Sequence, residues 1–400
     1  MTLNKGVKVG KPKRKVEIYW IIIAVLLVIL GGLYIYHLIT GVTPDRVALS
    51  LGGFEVYWYG ICIVGGIALG ASVVSRLAEE RGTAVFMKVV PSHIRQQPLH
   101  SLNLPEALGQ TLTKNKISTV GTLLFAWGNN PKITGLNKEG IQIVQKKLAD
   151  QPQIKDEWIM EAPWRIWNPD HVWNGLIWVL ILAVIGARLY HVLTPSPSMA
   201  AFGIESPADY FRNPYQLINL RNGGLGIYGG ILGGAVGLFI YARRVQIPLL
   251  PWADLGVVGL TLGQVFGRWG NFFNQELYGS PSDLPWAVMI EPGFRLPAYS
   301  EFSRFHPAFL YESLWSLLAF LVLYFLVTRC SGKLLDGEGM ALYLIFYAIG
   351  RTLLELVRLD SRMVDFGFIQ LNMAIATFVS IVIAVCMAAW IFMRRWRTRK

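Results

Sequence analysis

GQVFGRWGNFFNQELYG, residues 263–279, continues an apolar run that opens at Trp252 and reads like a membrane span, yet it carries Arg268, Asn271, Asn274 and Glu276. A guanidinium inside a bilayer costs about 2.5–3.5 kcal/mol on insertion scales, so it persists when paired or when it lines a cavity that holds an anion. The rest of the chain decides which.

Of the 400 residues, 53% are hydrophobic and 16% charged, and the mean hydropathy is +0.43. Soluble domains carry charge on about a quarter of their residues. Several apolar runs are long enough for a hydrocarbon layer of roughly 30 Å, which takes about 20 helical residues. The expected fold class is therefore all-α, a polytopic integral membrane protein. The net charge of +12 collects at the two ends, MTLNKGVKVGKPKRKV and RRWRTRK, as cytoplasmic flanks do. Cys62, Cys330 and Cys386 show no CxxC or Cys/His spacing, so neither a disulfide framework nor a metal site follows.

Eight spans are expected, near 17–40, 57–80, 172–193, 224–242, 252–272, 308–328, 340–357 and 369–393. Arg76 and Arg81 follow the second, Arg243 and Arg244 the fourth, Arg329 and Lys333 the sixth, and an arginine tail the eighth. By the positive-inside rule both termini are then cytoplasmic. A small head lies outside, and the first apolar run is read as a retained anchor. Gly226, Gly230 and Gly234 recur every four residues, as do Gly229, Gly233 and Gly237, and Gly259, Gly263 and Gly267. Ridges of this kind let helix backbones approach where lipid supplies no hydrophobic drive.

In that orientation the unusual polar residues fall at one level. Arg268, Asn271, Asn274 and Glu276 end the fifth span on the outside, and Tyr59 begins the second. Arg188 ends the third, Gly223 to Gly230 open the fourth, and His306, Tyr311 and Glu312 open the sixth. Arg351 and Glu355 sit in the outer part of the seventh, followed by Arg358 and Asp360. Each has an ordinary reading. Arg351 and Glu355, at i and i+4, can simply pair, and Arg268 can snorkel. His306 beside Pro307 suits a helix start, and Tyr59 and Tyr228 suit an interface belt. Taken together they suggest more, because guanidinium groups match phosphate oxygens with planar paired hydrogen bonds. The constellation points to phospholipid headgroup chemistry at an outer-leaflet site.

These motifs resemble the prolipoprotein diacylglyceryl transferases of bacteria. NGGLGIYGGILGG (222–234) looks like the family's glycine signature, and GRWGNFFNQELYG (267–279) like its arginine–asparagine motif. WYG (58–60), GARLYHV (186–192), HPAFLYE (306–312) and GRTLLELVR (350–358) match in order. The likeness covers roughly 50–82 and 165–395. It implies an inner-membrane enzyme that moves a diacylglyceryl group from phosphatidylglycerol to the lipobox cysteine thiol of a prolipoprotein, releasing glycerol phosphate, with no cofactor. Carried over by motif, Arg268 and Arg351 contact phosphate, and Tyr59, Asn271 and Gly279 are essential positions. Glu276 and Glu355 place these groups. Arg188, Asn274, His306, Glu312, Gly229 and Gly230 complete the expected substrate site. Tyr228 is carried as a catalytic position as well, although many members have histidine there. A tyrosine titrating near 10 is a poor base at neutral pH, so another group or the electrostatic setting activates the thiol.

Two segments fall outside the likeness. Residues 1–45 read as a basic lead with an extra anchor. Residues 83–165 read as an inserted cytoplasmic helical domain between two parts of the membrane domain, 50–82 and 166–400. ISTVGTLL and ITGLNKEGIQIVQKKL within it resemble the helix-hairpin-helix of the RNA polymerase alpha-subunit carboxy-terminal domain. Lys114, Lys116, Lys138, Lys146 and Lys147 give only a modest positive face. The expected partner is therefore a cytoplasmic protein, with nucleic acid disfavoured. DEWIMEAPWRIWNPDHVW (156–173) is expected at the membrane interface. The competing class is an outer-leaflet phospholipid or anion transporter, but such folds show repeats and midplane breaks, and no internal repeat is visible here.

Overall fold

The computed structural model describes residues 18–219, 223–359, 363–365 and 370–399. The basic lead, Asn222 of the glycine motif and Asp360 lie outside the described residues. Most of the chain is helical. Among the described residues, six helices are long and apolar enough to cross a membrane: Ile18–Thr40, Trp58–Val89, Asp170–Leu193, Leu249–Asn274, Ala308–Arg329 and Ile375–Arg399. The other two expected spans also form helices, Ile227–Val245 and Glu338–Glu355, but they do not join the six. In the first, glycines stand where larger apolar residues would, and two arginines close it. The second holds Glu338, Arg351 and Glu355 in 18 residues.

The chain divides into two compact units. The first holds described residues 18–72, 260–320 and 344–388. The Ile18–Thr40 helix ends at Gly41, whose φ of 72° leaves the helical region. A hairpin follows, Val47–Leu51 against Phe54–Tyr57, turned at Gly52 and Gly53, both with positive φ. A tight two-residue turn requires that sign. Later in this unit, Val288–Met289 pairs antiparallel with Arg304–Phe305.

The second unit holds 73–259, 321–343 and 389–399. Here Asp170–Leu193 packs along Ile227–Val245. A Cβ placed at Gly229, Gly233 or Gly237 would strike the backbone of Gly186, Leu182 or Trp178, whereas one at Gly230 or Gly234 would meet side chains at ordinary distances of 3.6 and 3.5 Å. Of the two glycine ridges, only 229–233–237 meets the neighbouring helix backbone to backbone, while a Cβ at Gly226, at the head of the other, would strike the Tyr190 ring. Helix packing occupies Gly229.

The Trp58–Val89 helix runs 32 residues, about 48 Å at 1.5 Å per residue, well beyond one hydrocarbon thickness. Its last turns feed a separate core: Phe86 and Val90 pack with Ile94, Leu112, Leu123, Trp127, Val144, Leu148, Trp158 and Trp164. Short helices Glu106–Lys114, Val120–Asn129 and Lys138–Ala149 surround it. The second of these starts in a capping box between Thr119 and Thr122. The tryptophan-rich stretch therefore differs from its expected role as an interface belt. Trp158 and Trp164 are buried in this core, and Trp167 stacks on Trp252 at 5.5 Å. They come from a short helix, a turn and a 3-10 helix in succession, so their shared burial is a product of tertiary packing, while Trp173 alone of the four is exposed.

Candidate active site

The site grows from a break in the fifth span. Helix Leu249–Gly267 stops at Arg268 and restarts as Trp269–Asn274. Asn271 N–H turns back to the Arg268 carbonyl at 3.1 Å, and Gln275 and Leu277 then take positive φ of 52° and 54°. The chain reverses there, and Glu276 closes the turn. Its Oε1 accepts from Asn271 Nδ2 at 2.9 Å and from Asn274 Nδ2 at 3.3 Å, while its N–H donates to the Asn271 carbonyl at 3.1 Å. Asn271 is buried. One carboxylate thus fixes both amides of the motif.

The break is held against the Ala308–Arg329 helix. Trp269 Nε1 donates to Ser313 Oγ at 3.2 Å, and Ser313 donates to the Val265 carbonyl at 2.8 Å. One residue before Ser313, Glu312 pairs with the Arg268 guanidinium. Trp315 then donates to the Phe346 carbonyl at 2.9 Å, tying this helix to Glu338–Glu355, where Arg351 pairs with Glu355 one turn on. Glu355 is only 9% exposed.

Between these three segments lies a cavity of about 270 Å³, with Arg268, Glu312, Tyr311, Tyr347, Arg351 and Val357 on its wall. Arg268 and Arg351, 83 positions apart in sequence, share it. Both carry a carboxylate partner, so the pairing expected for Arg351 alone holds for each. The pairs do not remove the arginines from the cavity, which they still line. A guanidinium carries five N–H donors, so each arginine can keep its carboxylate and still offer donors to the oxygens of an anionic group in the cavity.

Gly279 joins three strands of chain beside this wall. Its N–H donates to the His306 carbonyl at 2.9 Å, Ser280 N–H to the Val357 carbonyl at 2.7 Å, and His306 N–H returns to Ser280 at 2.9 Å. A Cβ on Gly279 would sit 2.7 Å from the Val357 oxygen and 2.8 Å from His306 Cβ. The motif needs glycine here because two backbones close on it. His306 Nδ1 bonds the Tyr311 hydroxyl at 3.1 Å. Tyr59 packs its ring on Gly270 and lines a second, more open hollow with Asn274 and the hairpin residues Phe54 to Tyr57.

The other expected residues belong to the second unit. Arg188 is buried, and its guanidinium donates to the carbonyls of Gln216, Leu217, Asn219, Gly223 and Gly224, over the Tyr210 ring at 5.3 Å. Five carbonyls take up its donors, so in this arrangement it ties residues 216–219 to Gly223 and Gly224. In the preceding connection, the Ser206 hydroxyl and nearby N–H groups hold the Asp209 carboxyl below the usual carboxylate range. Tyr228 is largely exposed, 5.8 Å from the Tyr190 ring, and Gly230 meets Ala187 at ordinary distance.

Sequence alone did not single out Gln264, Tyr347, Trp315 or Ser316 on the cavity wall. A signal was there for two of them. Gln264 lies four residues before Arg268 and Tyr347 four before Arg351, so each shares a helix face with its arginine. Trp315, in an apolar run, had no such mark.

A family model described as prolipoprotein diacylglyceryl transferase matches residues 153–393. A phosphatidylglycerol–prolipoprotein diacylglyceryl transferase of Chloroflexus aggregans is 38% identical over 248 residues, covering 58% of this chain and 78% of the relative. One of Fervidobacterium nodosum is 38% identical over 224 residues, 56% of this chain and 70% of the relative. One of Synechococcus elongatus is 40% identical over 218 residues, 54% and 70%. A match over more than half the chain, with its arginine–asparagine motif built into a helix break beside a cavity, places this protein in the prolipoprotein diacylglyceryl transferase family.

Proposed function

We propose that this chain transfers the diacylglyceryl group of phosphatidylglycerol to the cysteine thiol of a prolipoprotein lipobox. The observation that carries the reading is the sharing of one cavity by Arg268 and Arg351. The acceptor sulfur attacks the glycerol carbon that bears the phosphate. A C–S bond forms as the C–O bond breaks, and the electron pair leaves on oxygen as glycerol phosphate. The thiol proton is released with it. Negative charge grows on the departing phosphate, where two preorganised guanidinium groups in a partly desolvated site lower the barrier. The nucleophile arrives with the substrate, so none of the chain's three cysteines is required.

In this reading Arg268 and Arg351 hold the phosphate, with Glu312 and Glu355 keeping them in place. Glu276 fixes Asn271 and Asn274 beside the leaving oxygen, and Tyr59 borders the acceptor's approach. Arg188, Gly229 and Gly230 shape the glycine-rich segment that carries Tyr228. Eight helices span the bacterial inner membrane with both termini in the cytoplasm, and the cavity opens toward the outer leaflet. The 83–165 insertion serves as a cytoplasmic protein-contact module.

The test is direct. Purified protein in phosphatidylglycerol vesicles, given a lipobox peptide, should yield peptide whose mass has gained one diacylglyceryl group on sulfur. A well-folded preparation that forms no thioether excludes the transferase reading. In the same assay Tyr228→Phe should keep turnover within twofold, since a neutral hydroxyl is a weak proton acceptor at pH 7. A loss beyond tenfold would instead make that hydroxyl part of thiol activation.

A further inference from the structure

The helix Ile18–Thr40 lies outside the matched segment, and its sequence reads as an anchor. Most of it fits that description: Val28 is 74% exposed and Ile39 79%, as lipid-facing side chains would be. One stripe does not. Ile23, Leu30, Tyr34 and His37 are buried, with His37 fully so, and two of these are polar. Their hydrogen bonds go to the segment that leads from the helix break to the cavity wall. The Tyr34 hydroxyl donates to the Trp286 carbonyl at 2.7 Å. Met289 N–H donates to His37 Nε2 at 3.0 Å, which leaves Nδ1 to carry the proton and face the Val42 carbonyl at 3.2 Å. The Tyr34 ring meets Trp269, Phe272 and Phe309 edge-on, at 6.3, 5.9 and 5.6 Å. From Trp286 the path continues: its indole N–H donates to the Tyr311 hydroxyl at 3.0 Å, and Tyr311 lines the cavity.

Resting on the transferase reading, we propose that this added helix is a positioning element of the active site. Tyr34 and His37 clamp residues 286–289, and the Trp286 indole passes that constraint to Tyr311 and, through it, to His306. A plain anchor would need neither polar group buried, since desolvating a phenol and an imidazole costs free energy that only specific partners offset.

The full-length protein in the peptide assay tests it. Tyr34→Phe keeps the ring packing and loses one bond, and should lower kcat about fivefold with KM for phosphatidylglycerol within twofold. His37→Phe should lower kcat about tenfold. His37→Gln, which offers an acceptor to Met289 and a donor to Val42, should regain at least half the wild-type rate. Because the constraint runs through the indole, Tyr34→Phe should add less than twofold in a Trp286→Phe background. Ile23→Ala, on the same buried stripe, should lower the thermal midpoint and leave kcat unchanged. Should His37→Phe fail to fold, Tyr34→Phe and the Trp286 cycle carry the test. The proposal is overturned if Tyr34→Phe turns over at the wild-type rate, or if kcat simply follows thermal midpoint across all variants, Ile23→Ala included. Wild-type protein that makes no thioether removes the transferase reading and this role together. Wild-type turnover with unaffected variants removes this role alone.

Discussion

Arg268→Ala should lower kcat about 100-fold, with KM for phosphatidylglycerol changing far less. Removing one preorganised donor from a site where charge develops costs on the order of 10²–10³ in rate. Arg351→Ala should cost a similar factor, and the double variant less than the product of the two, because both groups serve one phosphate. Each arginine also neutralises a carboxylate. Glu312 and Glu355, 16% and 9% exposed, would each lose that arginine, and breaking such a pair destabilises by roughly 3–5 kcal/mol. A lost fold could then imitate lost catalysis. The double variant Arg268→Ala/Glu312→Gln separates them, since it removes the carboxylate charge along with the arginine. Thermal stability in detergent should recover toward wild type while turnover stays about 100-fold down. If turnover recovers with stability, Arg268 is a partner for Glu312 and nothing more.

Gly279→Ala should lower turnover by about 10–100-fold, for a geometric reason. The added methyl would press on the Val357 carbonyl oxygen at 2.7 Å and on His306 Cβ at 2.8 Å, and neither is the free end of a flexible side chain. Overpacking of this kind costs about 1–3 kcal/mol, and relief requires the 279–281, 304–306 and 357–358 segments to separate. Val357 lines the cavity, and His306 is bonded to Tyr311 on the same wall. A displacement near 1 Å at a reacting site can cost 10²-fold in rate. Initial rates beside a thermal melt decide it. A variant that melts a few degrees lower yet keeps more than half its rate would show that the junction is remote from the chemistry.

Much of this was legible in the chain. Hydropathy is a property of about 20 consecutive residues, so the apolar helices could be read without knowing their neighbours. The i, i+4 spacing gave Arg351 its partner Glu355, because a helix fixes that distance by itself. The glycine periodicity announced close packing but left two ridges equivalent. Which one faces Gly186 depends on how a second helix is rotated against the first. For Arg188, buried charge was legible in sequence, but its five carbonyl partners, from residues 216–219 and 223–224, were not. Backbone carbonyls leave no mark in sequence, since every residue has one.

The sequence by itself determined a multi-pass helical membrane protein, because hydropathy is local, and it carried the ordered motifs by which the chain resembles its family. The tertiary structure alone decided that Glu312, 44 positions away, answers Arg268, that Arg351 reaches the same cavity, and that Tyr34 and His37 of the Ile18–Thr40 helix bond Trp286 and Met289. Ion pairs and hydrogen bonds act over about 3–4 Å, and only folding brings segments so far apart in sequence to that range.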